Sequence, residues 1–252
     1  MNLGVRRILG KCLLQWLLRG NNVLQGNNVY CPCCEKHFAV FWFFGKPIRF
    51  NAMCPSCRSL ERHRLLWMFL FRENRLITNG TKLLHIAPEN ALFKKFKQEK
   101  KIYYFPGDKF MPGNYYPQGT KEIDILNITY PDNFFDAILC CHVLEHVDND
   151  LQAMKEFYRV LKPSGWAILQ VPIDYNRADT FEDNSITTPE EREKYFGQHD
   201  HLRLYGRDYP QRLMQAGFKV ECIDFCNTFS EEEQKLMGFD KNDGIIYLCK
   251  KG

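Results

Sequence analysis

The chain has 252 residues, of which 45% are hydrophobic and 25% charged, and its net charge is +4. That balance suits a globular protein with a sizeable core and excludes a long disordered or low-complexity chain. The charge is uneven, with twelve Lys/Arg against three Asp/Glu in residues 1–80 and twenty-two against twenty-seven in residues 81–252. A basic module joined to a mildly acidic body suggests an anionic partner, whether nucleic acid, a phosphorylated glycan carrier or an anionic membrane surface, or else a solvated basic face.

The first stretch, MNLGVRRILGKCLLQWLLRG, carries Leu3, Ile8, Leu9, Leu13, Leu14, Trp16, Leu17 and Leu18 between basic residues. This predicts an amphipathic helix within residues 1–29 that packs on the main domain or makes peripheral contact with a membrane surface. Lys11, Gln15 and Arg19 break the apolar run, so it is too short to span a bilayer, and no small-residue cleavage site follows.

Cys31-Pro32-Cys33-Cys34 is followed after 19 residues by Cys54-Pro55-Ser56-Cys57. Two CxxC knuckles at this separation predict a structural zinc site on Cys31, Cys34, Cys54 and Cys57, with Cys33 able to replace Cys34 after a one-residue shift. Four thiolates fill a tetrahedral ion, which leaves no catalytic position, and one zinc per chain is expected. Cys140, Cys141 and Cys249 sit at strand positions as small apolar residues, consistent with a reducing, cytoplasmic setting. Between the knuckles, residues 37–45 (HFAVFWFFG) read as a hairpin-like run whose aromatics supply the core that a small ribbon lacks, or stack on bases. Arg58, Arg62, His63 and Arg64 then lead into an apolar helix, LLWMFLF, and are expected to meet an anionic ligand or the adjacent domain. The module is assigned residues 30–80.

Thr81 to Ala87 has the pattern of a first sheet strand, with Pro88-Glu89-Asn90 opening a helix, and Lys101 to Phe105 is the next strand, ending at Pro106-Gly107-Asp108. Phe135 to Cys141 (FDAILCC) is an apolar run as expected of a strand covered on both faces. Val143, Leu144, Val147, Leu151, Met154, Phe157, Tyr158 and Leu161 continue as a helical stripe, stopped at Lys162-Pro163-Ser164-Gly165 before the buried strand WAILQVP. Strand, helix, strand implies a right-handed crossover and a parallel sheet, with ligands at the carboxyl ends of the strands.

Phe135-Asp136, His142-Val-Leu-Glu-His146 and Leu161-Lys-Pro-Ser-Gly165 together resemble the class I S-adenosylmethionine-dependent methyltransferases of the type-11-like group, over about residues 80–252. The resemblance implies an α/β fold, a Rossmann-like seven-stranded methyltransferase domain (residues 81–252) with a mostly parallel sheet and an antiparallel last strand, joined to the small N-terminal zinc ribbon. It implies S-adenosylmethionine as cofactor, held by His85, Ala87, Glu89, Asp108, Asp124, Asn127, Cys141 and His142. Where the family commonly has (D/E)xGxGxG, this chain reads His85-Ile-Ala-Pro-Glu89. Asp108 lies 19 positions after Glu89, the place of a carboxylate that takes ribose hydroxyls. Asp124 is the adenine contact by resemblance, with Asn127 as its neighbour.

His142-Val-Leu-Glu145-His146 also spells HxxEH, the inverted zinc-peptidase pattern, which would require a second metal. Residues 174–200 are polar and without a strand pattern, an insertion placed above the active site, in which Thr188-Pro189-Glu190-Glu191 starts a helix. The run Phe196-Gly-Gln-His-Asp-His-Leu-Arg-Leu-Tyr-Gly206 resembles a GQxDHxRxYG segment of the type-11-like group. Its polar density assigns substrate binding to His199, His201, Arg203 and Tyr205, with Asp200 or His201 as general base. Asp174 and Tyr175, at the start of the insertion, join the substrate side, and His142, at its strand end, is the further catalytic candidate. A helix to Gly217 and strands over Phe218–Phe225 and Asp243–Lys250 complete the sheet. The expected activity is methyl transfer to an anionic acceptor, an RNA or a phosphate-bearing glycan or lipid intermediate. The competing expectation is a non-catalytic binding protein whose glycine-poor loop has lost the cofactor.

Overall fold

The computed structural model describes residues 25–72 and 76–252. The expected N-terminal amphipathic helix falls on residues that lie outside this described part. The described residues form two units, one running to Arg72 and including Phe225–Gly244, the other comprising residues 76–224 and Ile245–Gly252.

In the first unit, β1 (Val29–Cys31) pairs with β2 (Lys36–Phe38), and β3 (Trp42–Phe44) pairs with β4 (Arg49–Met53), both antiparallel. The aromatic run 37–45 is therefore split between two hairpins rather than forming one. Phe41 and Trp42 are buried, while Phe44 and Phe50 are exposed, so part of the run supplies the small core. Helix α1 (Glu61–Arg72) follows.

Residues 225–244 belong to this unit, so the expected boundary at residue 80 is incomplete. Arg64 explains why. Its side chain is fully buried and donates to the carbonyls of Ala52 (2.8 Å) and Ser59 (2.9 Å) on one side and of Met237 (2.5 Å) and Gly238 (2.6 Å) on the other. The expectation that Arg64 meets an anionic ligand is thus corrected, because four of its five donors are spent on backbone acceptors inside the unit. Arg49 is paired with Glu61 at 2.9 Å, and Arg58 lies over the Trp42 ring. Residues 25–72 hold seven Lys/Arg against two Asp/Glu, and residues 225–244 hold two against five, which leaves only +2 for the described unit.

The second unit is a seven-stranded sheet. Its strands are β5 (Thr81–Ile86), β6 (Ile102–Asp108), β7 (Lys121–Glu122), β8 (Phe135–Cys141), β9 (Leu161–Gln170), β12 (Lys219–Asp224) and β13 (Ile245–Lys250). The spatial order is β12-β13-β9-β8-β5-β6-β7, with β5 to β9 paired in parallel and β13 antiparallel to both β9 and β12. The apolar run 137–140 lies fully buried at the sheet centre, as its composition requires. No described helix is long and apolar enough to cross a membrane.

Helix α2 (Asn90–Gln98) connects β5 to β6. The helix after β8 starts later than the apolar stripe suggests. Leu144–His146 form one 3-10 turn, Val147 is extended, and α3 (Asp150–Val160) begins after Asn149, whose side chain accepts from the Gln152 amide at 2.9 Å. An Asn N-cap outcompetes the stripe because it satisfies an otherwise orphaned donor. Ser164 is left-handed (φ +61°), and a Cβ at Gly165 would sit 2.8 Å from the Lys162 carbonyl, so the Pro-Ser-Gly turn folds back tightly into β9.

The insertion carries β10 (Phe181–Glu182), paired with β11 (Arg203–Leu204), and α4 (Pro189–Phe196), which opens on a Thr188/Glu191 capping box. Helix α5 (Tyr209–Gln215) precedes β12, and α6 (Glu231–Met237) lies within the 225–244 segment. Two expected substrate residues turn out to be structural. Arg203 is buried and donates to the carbonyls of Leu144 (2.7 Å), Val147 (2.6 Å) and Asp148 (3.1 Å) and to Glu182. Tyr205 is fully buried, and its hydroxyl donates to Asp150 at 2.8 Å. Both are buried and bond residues 144–150, which holds that turn in place.

Asp150 centres this network, accepting from Arg212 at 2.7 Å as well. Burial opposes its ionisation, but the Arg212 bond and the nearby guanidiniums bring its carboxyl below the usual range. A depressed folded pKa gives stability that is present above the unfolded pKa of about 3.9 and lost as pH falls through the folded value. Denaturation midpoints are therefore expected to drop below about pH 4, and Asp150→Asn should remove that part of the acid dependence while destabilising the domain at pH 7.

Candidate active site

The parallel register brings three strand ends level. Ile86 lies opposite Gly107 on one side and Cys140 on the other, so Ala87, Asp108 and Cys141 share one edge of the sheet. The chain order reverses about β5, with β6 on one flank and β8 on the other, and such a switch point opens a crevice at the carboxyl ends. Ala87 is left-handed (φ +46°), and its amide donates to the Gly107 carbonyl at 2.8 Å. That conformation costs an alanine about 1 kcal/mol, so the loop turns as a glycine loop would, at the expense of strain.

Asp108 ends β6 half-buried, and burial raises its carboxyl above the usual value against a bond from the Lys109 amide. A carboxylate held at such a cost without a cationic partner is a functional candidate. His85 does not line the crevice. Its side chain is fully buried, with Nε2 donating to Glu89 at 2.8 Å and Nδ1 accepting from the Tyr104 hydroxyl at 3.0 Å. This corrects the expectation of direct cofactor contact: His85 positions Glu89 at the start of α2. Tyr104, the other half of that clamp, was not foreseen, because a tyrosine in a strand carries no signal beyond apolarity. Asp124 accepts from the Leu126 amide at 2.9 Å and pairs with Lys109 at 3.3 Å, and Asn127 is exposed in the same loop.

At the end of β8, His142 is left-handed (φ +55°), and its Nδ1 lies 3.4 Å from Glu145 Oε1. Glu145 is 1% exposed and Oε2 has no hydrogen-bond partner. Burial works against its charge, yet the adjacent His142 and His146 keep the carboxyl below the ordinary value. His142 and His146 are not on one helical face, because only a single 3-10 turn separates them, which removes the geometry that an HxxEH peptidase helix needs. Asp200 and His199 are exposed, whereas His201 is 3% exposed and its pKa is lowered by burial. His201 as the base that takes a substrate proton is thereby corrected. Asp174 and Tyr175 follow β9, with Asp174 accepting from the Asn176 amide and the Tyr175 carbonyl accepting from Arg207.

The Methyltransferase domain family (Methyltransf_11) matches residues 108–169, from the end of β6 to β9. The match covers about a quarter of the chain. Its sheet is similar to that of an S-adenosylmethionine-dependent methyltransferase from Mesorhizobium loti, with a TM-score of 0.51 and 14% identity over 74% of this chain and 98% of that one. This likeness bears out the fold. In sequence, an uncharacterized protein of Methanocaldococcus jannaschii is 48% identical over 48 residues, 19% of this chain and 21% of that protein. The ubiquinone/menaquinone biosynthesis C-methyltransferase UbiE of Hydrogenovibrio crunogenus is 44% identical over 50 residues, 19% of this chain and 20% of that enzyme. The matched stretch thus spans about a fifth of these curated relatives.

Outside the methyltransferase domain, the four expected cysteines converge. Cys31, Cys34, Cys54 and Cys57 place their sulfurs within 4.8 Å of one another, at 3.6 Å for Cys31–Cys57 and 3.7 Å for Cys34–Cys54. Tetrahedral Zn–S bonds of about 2.3 Å set an S···S edge of about 3.8 Å, so this donor set fits zinc. Burial pushes the Cys34 thiol up to about 12 while Cys31 falls to about 6, so a cation is needed for all four to ionise together. Cys33 also lies beside Cys31 and Cys57, 3.8 Å from the His63 carbonyl, and burial first, then those neighbouring thiols, raise its pKa.

Proposed function

We propose that this chain is an S-adenosylmethionine-dependent methyltransferase. The observation that carries the reading is the half-buried Asp108 carboxylate at the β5/β8 switch point, level with the left-handed Ala87 and with Cys141. Asp108 would accept the ribose hydroxyls, Glu89 the amino group of the methionine part, and Asp124 the adenine amino group, while the turn at Ala87 admits the ligand to the backbone. S-adenosylmethionine, when bound, supplies a methyl group on a sulfonium that is already a good leaving group. What remains for the protein is alignment and, for a hydroxyl acceptor, removal of one proton. His142 is placed for that: Glu145 holds Nδ1 as the donor, which leaves the Nε2 lone pair, and the side chain is 21% exposed.

The acceptor class is proposed as anionic, an RNA or a phosphate-bearing glycan or lipid intermediate, from the net +2 that residues 25–72 and 225–244 carry together. Screening RNA digests and lipid and glycan extracts for a methylated product, with and without the protein, separates these acceptors. Calorimetric titration of S-adenosylmethionine tests the cofactor directly. One site per chain is expected, with a rise in melting temperature of roughly 5 °C or more at a hundredfold excess over Kd. No heat and no shift at millimolar cofactor would favour the non-catalytic binding protein.

The ribbon is inferred to carry one structural zinc. Cys34→Ser is expected to lose it and Cys33→Ser to keep it, read as zinc per chain. Loss in Cys33→Ser would exchange the two assignments.

A further inference from the structure

The GQHDHLR run and the HVLEH turn meet in a way that neither cofactor binding nor the ribbon uses. The donor atoms of Glu145, His146 and His201 lie within 4.8 Å of one another, and the two imidazoles cross at 82° with centroids 4.8 Å apart. The tautomers follow from the surroundings. His201 Nδ1 faces the Phe196 carbonyl at 3.1 Å, which can only accept, so Nδ1 carries the proton and Nε2 a lone pair. His146 Nδ1 faces two acceptors, the Asp200 carbonyl at 3.3 Å and its carboxylate at 3.4 Å, so it too is the donor, and its Nε2 turns a lone pair towards Glu145 Oε1 at 4.0 Å. His201 Nε2 and Glu145 Oε2 are buried without a hydrogen-bond partner.

Glu145 Oε1 accepts from His142 Nδ1, but Glu145 Oε2, His146 Nε2 and His201 Nε2 converge with no donor among them, an arrangement that costs several kcal/mol unless a positive charge sits between them. A carboxylate or a carbonyl on each Nδ1 is also the outer-shell pattern that fixes metal-binding histidines. We propose that Glu145, His146 and His201 form a second metal site, for a divalent transition-metal cation of the zinc class, independent of the four ribbon cysteines. Two imidazoles and a carboxylate suit such an ion, and three protein ligands leave a position for water or an acceptor oxygen. Bonds of about 2.1 Å set donors about 3.4 Å apart, so binding draws the cluster inward. The site differs from an HxxEH centre, because His142 takes no part and the third ligand comes from the insertion.

The test uses the full chain, loaded with zinc and freed of excess by gel filtration. Two ions per chain are expected in the wild type and one in His146→Gln and His201→Gln, with nitrogen or oxygen scatterers near 2.0–2.1 Å beside the sulfurs in the zinc X-ray absorption spectrum. His146 is one-third exposed, so its variant is the less exposed to misfolding, and the wild-type spectrum needs no variant at all. A sulfur-only spectrum, or equal zinc content in the wild type and both variants, would overturn the proposal.

Discussion

Asp108→Ala is expected to weaken S-adenosylmethionine binding about a thousandfold without lowering the melting temperature. Two hydrogen bonds from ribose hydroxyls to a carboxylate contribute roughly 2 kcal/mol each, and 4 kcal/mol corresponds to about three decades in Kd. The second half of the expectation comes from the electrostatics of the free protein. A carboxyl whose pKa is raised on folding subtracts stability at neutral pH, so its removal relieves the fold rather than harming it. Calorimetry and thermal melting on the same variant read both halves. Unchanged affinity would take Asp108 out of the site, and unfolding would mark it as structural.

Arg64→Ala is expected to have the largest effect on stability, about 4 kcal/mol. It strips donors from four carbonyls, on Ala52, Ser59, Met237 and Gly238, and leaves a cavity beside the Phe41 ring, 4.2 Å from the guanidinium. Hydrogen exchange in α1 and α6 should rise together, because the side chain bonds both the ribbon and the 225–244 segment. Arg64→Lys should restore little, since one ammonium cannot serve acceptors arranged around a planar fork. A loss under about 1 kcal/mol would mean that apolar packing alone joins the two segments.

Much of the architecture was legible from residue pattern. FDAILCC gave the central strand with its boundaries, because a run buried on both faces has no competing periodicity, and the CxxC pairs gave the four cysteines that converge, because their spacing has few other uses. What stayed hidden depends on contacts far apart in sequence. Nothing local to Arg64 distinguishes a buried fork from a basic surface, and the partners that decide it lie about 170 residues away. Arg203 and Tyr205 read as a polar active-site run because density of polar groups signals function, yet their partners on 144–150 make them struts. His85 looked like a crevice residue from its place at a strand end, but strand alternation turned it inward onto Glu89 and Tyr104. The apolar stripe from Val143 placed Glu145 inside a helix, whereas the Asn149 cap set the helix start later and left the carboxylate among three histidines.

The central claim is that one nucleoside-bearing sulfonium occupies the carboxyl ends of β5, β6 and β8. A crystal structure of the full chain grown with S-adenosylhomocysteine tests it most directly. The account predicts ribose density against the Asp108 carboxylate, with the chain of the amino acid passing the Ala87 turn towards Glu89. Density bound elsewhere, or an Ala87–Pro88–Glu89 turn that closes the crevice to a ligand, would contradict it.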